Sequence, residues 1–235
     1  MLVSMGYRLA PEAQLHEIIE DLKDAIQWVQ QSGPELFGAD PSRMVIAGAS
    51  AGGYLTLMSG IVADPPPTAL VSYWGFGDVD GDWTTSPNAA YRKGKLVTKE
   101  DAWAGVGKEV LTSPNKTNGR GRSVFFMYLK QHGLWTKAVS GIDPKAEPEK
   151  IKPFCPIKNL TSKFPPTLML HGTADIDVPV EQSLNMAREL KRLGVSHELI
   201  TIENGGHSLW GGDKKLIEQA FERSMEYIRE QLTKS

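Results

Sequence analysis

A serine framed by small residues is the feature of this sequence best suited to chemistry. Ser50 lies in GASAG, residues 48–52, after the apolar run RMVIA and before the helical pattern YLTLM. A strand, a sharp turn and a helix in this order are typical of a nucleophile elbow, whose small flanking residues let backbones approach closely. The pattern predicts that Ser50 is a nucleophile. A strand-to-helix loop that needs small residues only for packing is the alternative.

A serine hydroxyl needs a base to take its proton and an acid to orient that base. His207 follows a predicted strand in the glycine-bearing loop ENGGHS, and an imidazole can accept and return a proton near neutral pH. Asp175, after another predicted strand, is the favoured acid, and Asp177 is its rival. Capping of the next helix by both aspartates is the alternative interpretation.

The elements that position these side chains alternate along the chain. Strands are predicted at residues 1–7, 43–47, 69–74, 167–171 and 197–202, and helices at 12–31, from 54, at 180–193 and at 213–232. The alternation predicts an α/β fold with a mostly parallel sheet and helices on both faces. Reactive groups in such folds gather at the carboxyl ends of strands, so Ser50, Asp175 and His207 are expected along one edge.

Two helices carry more detailed predictions. Gly33-Pro34 is expected to end the helix at 12–31. The helix at 213–232 is expected to bury one apolar stripe, formed by Leu216, Ile217, Ala220, Phe221, Met225 and Ile228.

The regular alternation fails at residues 75–153, which are predicted to be an insertion over the strand ends within a single domain, 1–235. Helices are expected there near 99–111 and 122–137. Two alternatives are open for the four tryptophans in or beside this region: they line an apolar substrate pocket, or they form the insertion's own small core. These residues are Trp74, Trp83, Trp103 and Trp135. Trp74, Gly48 and Gly52 are the candidate substrate-binding residues.

Composition narrows the class of protein. The 235 residues carry a net charge of −2, with 40% hydrophobic and 23% charged residues, which indicates one folded core and excludes a nucleic-acid footprint. Cys155 is the single cysteine, so an internal disulfide is excluded and a cysteine-based metal cluster is not expected. No apolar run is long enough to span a bilayer and no leader is recognised, so a cytoplasmic protein is expected.

Four segments together resemble the hormone-sensitive-lipase-like carboxylesterases of the alpha/beta hydrolase fold. They are GYRLAPE at 6–12, GASAGG at 48–53, HGTAD with VP at 171–179, and GH at 206–207. The resemblance covers nearly the whole chain outside the insertion. It implies a triad of Ser50, Asp175 and His207, a small carboxylic ester as substrate, and neither metal nor organic cofactor. The family often has an aspartate before the nucleophile, where this chain has Ala49.

The resemblance also exposes a departure at the oxyanion hole. In the family a His-Gly-Gly loop precedes the YRLAP segment by tens of residues, whereas here that segment begins almost at Met1. The expectation is an N-terminally truncated chain that lacks the first strands and this loop, with the Ala51 N–H as the remaining oxyanion donor. Losing one donor costs about 2.7 to 4 kcal/mol of barrier. The strand at 1–7 would have to shift to fill the resulting gap in the sheet.

Three functions are therefore compared. The leading hypothesis is a serine carboxylesterase that works through an acyl-enzyme. A hydrolase-fold protein that is impaired, noncatalytic or a truncated product is the first alternative, because of the missing loop. A serine peptidase of the prolyl-oligopeptidase kind, whose aspartate motif is similar, is the second; the YRLAP segment favours the esterase.

Overall fold

The computed structural model describes residues 1–113 and 122–233. These residues form two compact units. The first contains Lys23–Asp78 and the described residues from Cys155 onward, and the second contains Leu2–Leu22 and the described part of Val79–Phe154. The second unit therefore includes almost the whole predicted insertion. The organisation of 1–235 as a single domain stays a prediction.

A parallel four-stranded sheet lies at the centre of the first unit. Its strands are β1 (Val45–Ala49), β2 (Ala69–Tyr73), β3 (Thr167–Gly172) and β4 (His197–Ile202), and they lie side by side in that order. The register pairs Ala49 with Tyr73, and Tyr73 with Leu170, so the carboxyl ends of neighbouring strands coincide. The predicted parallel sheet is confirmed.

The two units contain helices, some of which pack on the two faces of this sheet. The helices of the described residues are α1 (Leu15–Phe37), α2 (Ala51–Val62), α3 (Asp82–Thr85), α4 (Lys99–Trp103), α5 (Arg122–His132), α6 (Trp135–Ser140), α7 (Pro148–Ile151), α8 (Glu181–Arg192) and α9 (Lys214–Thr233). Side chains alternate across a strand. Met169 packs with Met186 of α8 on one face, and Leu168 packs with Tyr227 of α9 on the other.

No helix within 1–113 or 122–233 has both the length and the apolar character needed to cross a membrane.

The strand predicted at residues 1–7 is wrong, because these residues hold no strand. The backbone N–H groups of Arg8 and Leu9, which follow this segment, instead form hydrogen bonds with other residues of the second unit. The Arg8 N–H donates to the Asp21 carboxylate at 2.8 Å, and the Leu9 N–H donates to the Leu111 carbonyl at 2.7 Å. Among the described strands β1 therefore pairs with β2 alone and lies at the edge of the sheet.

The predicted end of the first helix at Gly33-Pro34 is also wrong, because α1 continues to Phe37. A proline lacks an N–H donor and its ring crowds the carbonyl four residues earlier, but the residues that follow can still donate to earlier carbonyls. The Gly38 N–H donates to the Pro34 carbonyl at 3.1 Å, and the rings of Trp28 and Phe37 lie 5.9 Å apart. This ring contact favours one more helical turn.

The helices of the second unit differ from the predicted ones in two places. The helix expected at 99–111 ends at Trp103, and the helix expected at 122–137 is divided into α5 and α6. Gly133, between them, has a φ of 64°, a left-handed conformation that glycine adopts without strain. Trp103 contacts Phe125, and Trp83 contacts Trp135, so tryptophans take part in aromatic packing inside this unit.

The apolar stripe predicted for α9 is wrong in part. Ala220 is buried as expected, but Leu216, Phe221 and Met225 are 49%, 38% and 48% exposed. The other buried residues of α9 include polar ones: Ser224, Tyr227 and Gln231. A hydrogen bond of 2.8 Å between the hydroxyls of Ser224 and Tyr73 explains why a serine lies on the inner face.

Candidate active site

Ser50 lies in a strained turn between the end of β1 and the start of α2. Its φ of 55° and ψ of −118° are rare for a residue with a side chain. Two backbone bonds hold the turn: the Ser50 N–H donates to the Tyr73 carbonyl at 2.9 Å, and the Ser50 carbonyl accepts from the Tyr54 N–H at 3.0 Å. Strain of this kind is typical of functional sites, and it agrees with the predicted elbow.

The glycines around Ser50 serve the close packing of the turn to different degrees. A Cβ on Gly48 would lie 2.4 Å from the Gly52 carbonyl oxygen, and a Cβ on Gly53 would lie 2.8 Å from the Gly75 Cα. A Cβ on Gly52 would meet nothing within 4 Å. Steric need therefore explains Gly48 and Gly53 but not Gly52. The substrate-binding roles of Gly48 and Gly52 stay predictions.

Ala51 begins α2 and is exposed. The N–H groups of the first helical turn have no acceptor inside their own helix, and the helix dipole makes this end partly positive. A backbone donor directly after Ser50 can thus stabilise negative charge near the serine oxygen. Its role as an oxyanion donor stays a prediction.

Ser50, His207 and Asp175 are joined by two hydrogen bonds. The His207 Nε2 lies 3.0 Å from the Ser50 Oγ, and the His207 Nδ1 lies 2.8 Å from the Asp175 Oδ2. The Asp175 side chain is fully buried, whereas that of His207 is 20% exposed. The three residues follow β1, β3 and β4, as expected for reactive groups at the carboxyl ends of parallel strands.

The two aspartates that the sequence offered take part in different contacts. Asp175 contacts the imidazole, while the backbone N–H groups of Asp177 and Val178 donate to the Asp175 Oδ1 at 2.8 and 2.9 Å. Burial raises the pKa of the Asp175 carboxyl, but hydrogen bonds from His171, His207 and the Val178 N–H lower it more. The pKa therefore lies well below its usual value, and Asp175 is a carboxylate at neutral pH.

Two loops carry Asp175 and His207, and backbone bonds tie them together. The Ala174 N–H donates to the Gly205 carbonyl at 2.8 Å, and the Asn204 N–H donates to the Thr173 hydroxyl at 2.9 Å. A Cβ on Gly172 would lie 2.2 Å from the Gly205 carbonyl oxygen. Gly172 thus allows the loops to meet. Sequence reasoning missed this function, although Gly172 is part of the quoted HGTAD segment.

Trp74 follows β2 and contacts the imidazole. Its ring centroid lies 6.3 Å from that of His207 with an interplanar angle of 69°, an edge-to-face arrangement. Its φ of 38° is unusual for a large side chain, and its N–H donates to the Leu170 carbonyl at 2.7 Å. The side chain is buried, at 9% exposure. A substrate-binding role for Trp74 stays a prediction, while its packing against His207 is observed.

Within the described part of the chain, Asp175, Asp177 and His207 bring three atoms of the kind that bind metals within 4.8 Å of one another. The Asp175 Oδ2 and the His207 Nδ1 are already engaged with each other. The group is therefore not a preformed metal site, and we assign it no metal.

Serine hydrolases of the α/β class use this arrangement: a parallel sheet covered by helices, with a serine, a histidine and an aspartate linked by hydrogen bonds at the strand ends. The chain matches the alpha/beta hydrolase fold family over residues 1–211 and belongs to that family. The resemblance found in the sequence motifs is thereby confirmed.

The chain is also similar to two longer proteins. It is 27% identical over 206 residues to the esterase LipC of Mycobacterium tuberculosis, covering 87% of this chain and 44% of LipC. It is 26% identical over 274 residues to the non-reducing polyketide synthase adrD of Penicillium rubens, covering 97% of this chain and 11% of adrD. The chain spans less than half of either relative.

The third similar protein is a solved structure, described as an acetyl ester-xyloside bifunctional hydrolase from Caldicellulosiruptor lactoaceticus. Its TM-score is 0.64 at 22% sequence identity, and the match covers 95% of this chain and 69% of that protein. This likeness supports the fold.

Proposed function

We propose that this protein is a serine esterase that cleaves small carboxylic esters through an acyl-enzyme. The observation that carries the proposal is the continuous hydrogen-bonded path from the Ser50 Oγ through His207 to the buried Asp175 carboxylate. A hydroxyl, an imidazole and a carboxylate in this order can activate the hydroxyl as a nucleophile at neutral pH. The similarity to an esterase of M. tuberculosis favours an ester as substrate.

In the first half of the reaction, the Ser50 Oγ attacks the ester carbonyl carbon while the His207 Nε2 takes the hydroxyl proton. The Nδ1–H of the resulting imidazolium donates to the Asp175 Oδ2, which stabilises its positive charge. The carbonyl oxygen becomes an oxyanion, for which the Ala51 N–H is the proposed donor. His207 then protonates the leaving alcohol as the carbon–oxygen bond breaks, and the acyl group remains on Ser50.

In the second half, water replaces the alcohol. The His207 Nε2 takes a proton from the water, whose oxygen attacks the acyl carbon. The bond from that carbon to the Ser50 Oγ breaks, and the Oγ takes the proton back from His207. A carboxylic acid leaves and the resting enzyme is restored, so no external oxidant, reductant or metal enters the balance.

A slow or noncatalytic hydrolase-fold protein is the second candidate. The observation in its favour is that residues 1–235 include no His-Gly-Gly segment, which supplies oxyanion donors in the family that the motifs resemble. If no second donor acts beside the Ala51 N–H, the rate falls by about 100- to 1,000-fold, which would leave a weak but measurable esterase. The rate on activated esters therefore separates the two candidates.

Hydrolysis of p-nitrophenyl acetate and butyrate by the wild type and by Ser50→Ala tests the proposal. We expect release of p-nitrophenol by the wild type and a fall of about 1,000-fold or more in Ser50→Ala, because the acyl-enzyme cannot form. Ser196→Ala is the matched control, since Ser196 is an exposed serine immediately before β4 and distant in sequence from the site. It should retain wild-type activity.

Two further measurements complete this test. A fluorophosphonate should label the wild type at Ser50, as located by peptide mass spectrometry, and should not label Ser50→Ala. A prolyl p-nitroanilide should be cleaved far more slowly than the esters, whereas faster cleavage would favour the peptidase alternative. A folded wild type that neither hydrolyses the esters nor accepts the label would refute the esterase proposal.

A further inference from the structure

His171 is a buried titratable residue for which the mechanism above has no use. It lies on β3, four residues before Asp175, and its side chain is completely inaccessible to solvent. Its Nδ1 lies 2.7 Å from the Ser183 Oγ on α8, and its Nε2 lies 2.9 Å from the Val178 carbonyl oxygen. The same Nε2 lies 3.4 Å from the Asp175 Oδ2.

These contacts determine which nitrogen of the neutral imidazole carries the proton. A carbonyl oxygen can only accept, so the contact with Val178 requires a proton on Nε2. Nδ1 is then the acceptor, and the Ser183 hydroxyl donates to it. The Nε2–H of His171 consequently donates to the Val178 carbonyl, and the same nitrogen lies 3.4 Å from the Asp175 Oδ2.

The position of the His171 Nε2 closes a ring of contacts around the Asp175 carboxylate. The Val178 N–H donates to the Asp175 Oδ1, while the Val178 carbonyl accepts from His171. The Asp175 Oδ2 lies between two imidazoles, with the His207 Nδ1 at 2.8 Å and the His171 Nε2 at 3.4 Å. Rotation of the carboxylate would break contacts on both of its oxygens. These contacts therefore fix the orientation in which the carboxylate faces His207.

We propose that His171 is a positioning residue that holds the Asp175 carboxylate in the orientation in which its Oδ2 accepts the proton of the His207 Nδ1. The inference rests on the proposed function, because it assigns His171 to the same relay. A histidine that only fills the core would fit the burial but would not need a contact with Asp175. The lowered pKa of Asp175, to which the bond from His171 contributes, agrees with the positioning role.

The charged groups around the relay determine the expected pH dependence. Asp175 and Asp177 both lie close to His207, and His171 approaches Asp175 from β3. A hydrogen bond to a carboxylate stabilises its charged form. Loss of the donor on His171 leaves Asp175 more basic, so it holds an imidazolium at His207 more firmly. The acidic limb of the kcat/KM profile should then move to higher pH.

Two substitutions at His171 separate positioning from packing. His171→Phe keeps a planar ring of similar size without a donor, whereas His171→Gln places an amide donor near the original Nε2. We expect kcat to fall by about 10- to 100-fold in His171→Phe with little change in KM, in line with other outer-shell partners. The acidic limb should rise by about half a pH unit to one unit, and His171→Gln should restore most of both.

His197→Phe is the matched control, because His197 lies on the neighbouring strand β4 and its Nδ1 donates to the Val195 carbonyl at 2.9 Å. It should leave the acidic limb unchanged. Proton NMR gives a readout that needs no catalysis. The low-field resonance of the His207 Nδ1–H, assigned by its loss in His207→Ala, should move in His171→Phe and stay near its original position in His171→Gln.

The outcomes are distinct. A folded His171→Phe with an unchanged acidic limb and an unchanged resonance overturns the inference. If His171→Phe does not fold, Ser183→Ala serves instead, because it removes the hydrogen bond that holds the His171 ring to α8. We then expect smaller shifts of the acidic limb and of the resonance in the same direction. The absence of both shifts would also overturn the inference. If the wild type proves to have no esterase activity, the proposed function fails, while the resonance still decides whether His171 orients Asp175.

Discussion

The two ends of the proposed relay are built in different ways. Asp175 follows the interior strand β3, its side chain is buried, and its carboxylate accepts from two backbone N–H groups and from His207. The His171 Nε2 lies 3.4 Å from the same carboxylate. Ser50 follows the edge strand β1, is half-buried, and is held by two backbone bonds and by glycines that permit close contact. Polar bonds orient the acid, whereas backbone geometry presents the nucleophile.

This difference indicates which kind of substitution each end tolerates. A buried carboxylate with several donors is sensitive to loss of charge or of a bond, since each unpaired donor left behind is costly. A tight turn is sensitive to added volume, since its backbones already approach closely. Changes of charge at the Asp175 end should therefore lower both activity and stability, and changes of size at the Ser50 end should lower mainly stability.

The largest expected effect comes from removing the charge at the Asp175 end. Asp175→Asn should lower kcat by about 10,000-fold, because an amide neither orients the imidazole correctly nor stabilises its charge. Asp177→Asn is the matched control, and it should cost less than about 10-fold because Asp177 supplies a backbone N–H that asparagine retains. Steady-state hydrolysis of p-nitrophenyl acetate measures both.

Equal losses in the two variants would contradict the assignment of Asp175 as the orienting acid. A larger loss in Asp177→Asn would favour the rival that the sequence left open. Circular dichroism of each variant shows whether the loss reflects chemistry or unfolding.

The second effect is steric and belongs to the Ser50 end. Gly48→Ala should lower the free energy of unfolding by about 1 to 3 kcal/mol, because its Cβ would overlap the Gly52 carbonyl. Gly52→Ala lies in α2 with open space around it, and it should raise the free energy of unfolding by up to about 1 kcal/mol. Urea unfolding measures both changes.

The same two variants also test whether Gly52 contacts the substrate. If Gly52 lines the ester site, Gly52→Ala should raise KM while the protein remains stable. Similar unfolding free energies for the two variants would show that the turn relaxes around a methyl group, and the steric account of the Ser50 end would then be wrong.

The smallest effect is the contribution of Asp175 to acid stability. Its pKa is lower in the folded protein than in the unfolded chain, so the stabilisation is present above the unfolded value, about 3.9, and disappears as the pH falls toward the folded value. The free energy of unfolding of the wild type should therefore fall more steeply below about pH 4 than that of Asp175→Asn. Parallel curves would show that the carboxylate is not stabilised by folding.

Local patterns predicted the elements that carry the site with small errors. β4 has the predicted bounds, and β1 to β3 and α8 differ from theirs by one or two residues. The errors fall where distant contacts decide the outcome. Residues 1–7 form no strand because the neighbouring backbone bonds to Asp21 and Leu111, and α9 buries Ser224 because Tyr73 offers it a hydroxyl. Periodicity within one segment contains no information on such partners.

The sequence by itself determined the kind of fold, the turn that presents Ser50, and the order of the serine, the acid and the histidine along the chain, since short-range spacing and backbone propensities control these. Tertiary structure alone decided that the Asp175 Oδ2 lies 2.8 Å from the His207 Nδ1, that Gly172 lets two loops meet, and that the His171 Nε2 lies beside the same carboxylate. Partners 32 and 157 residues apart are joined in these bonds, and only the folded sheet brings them within reach.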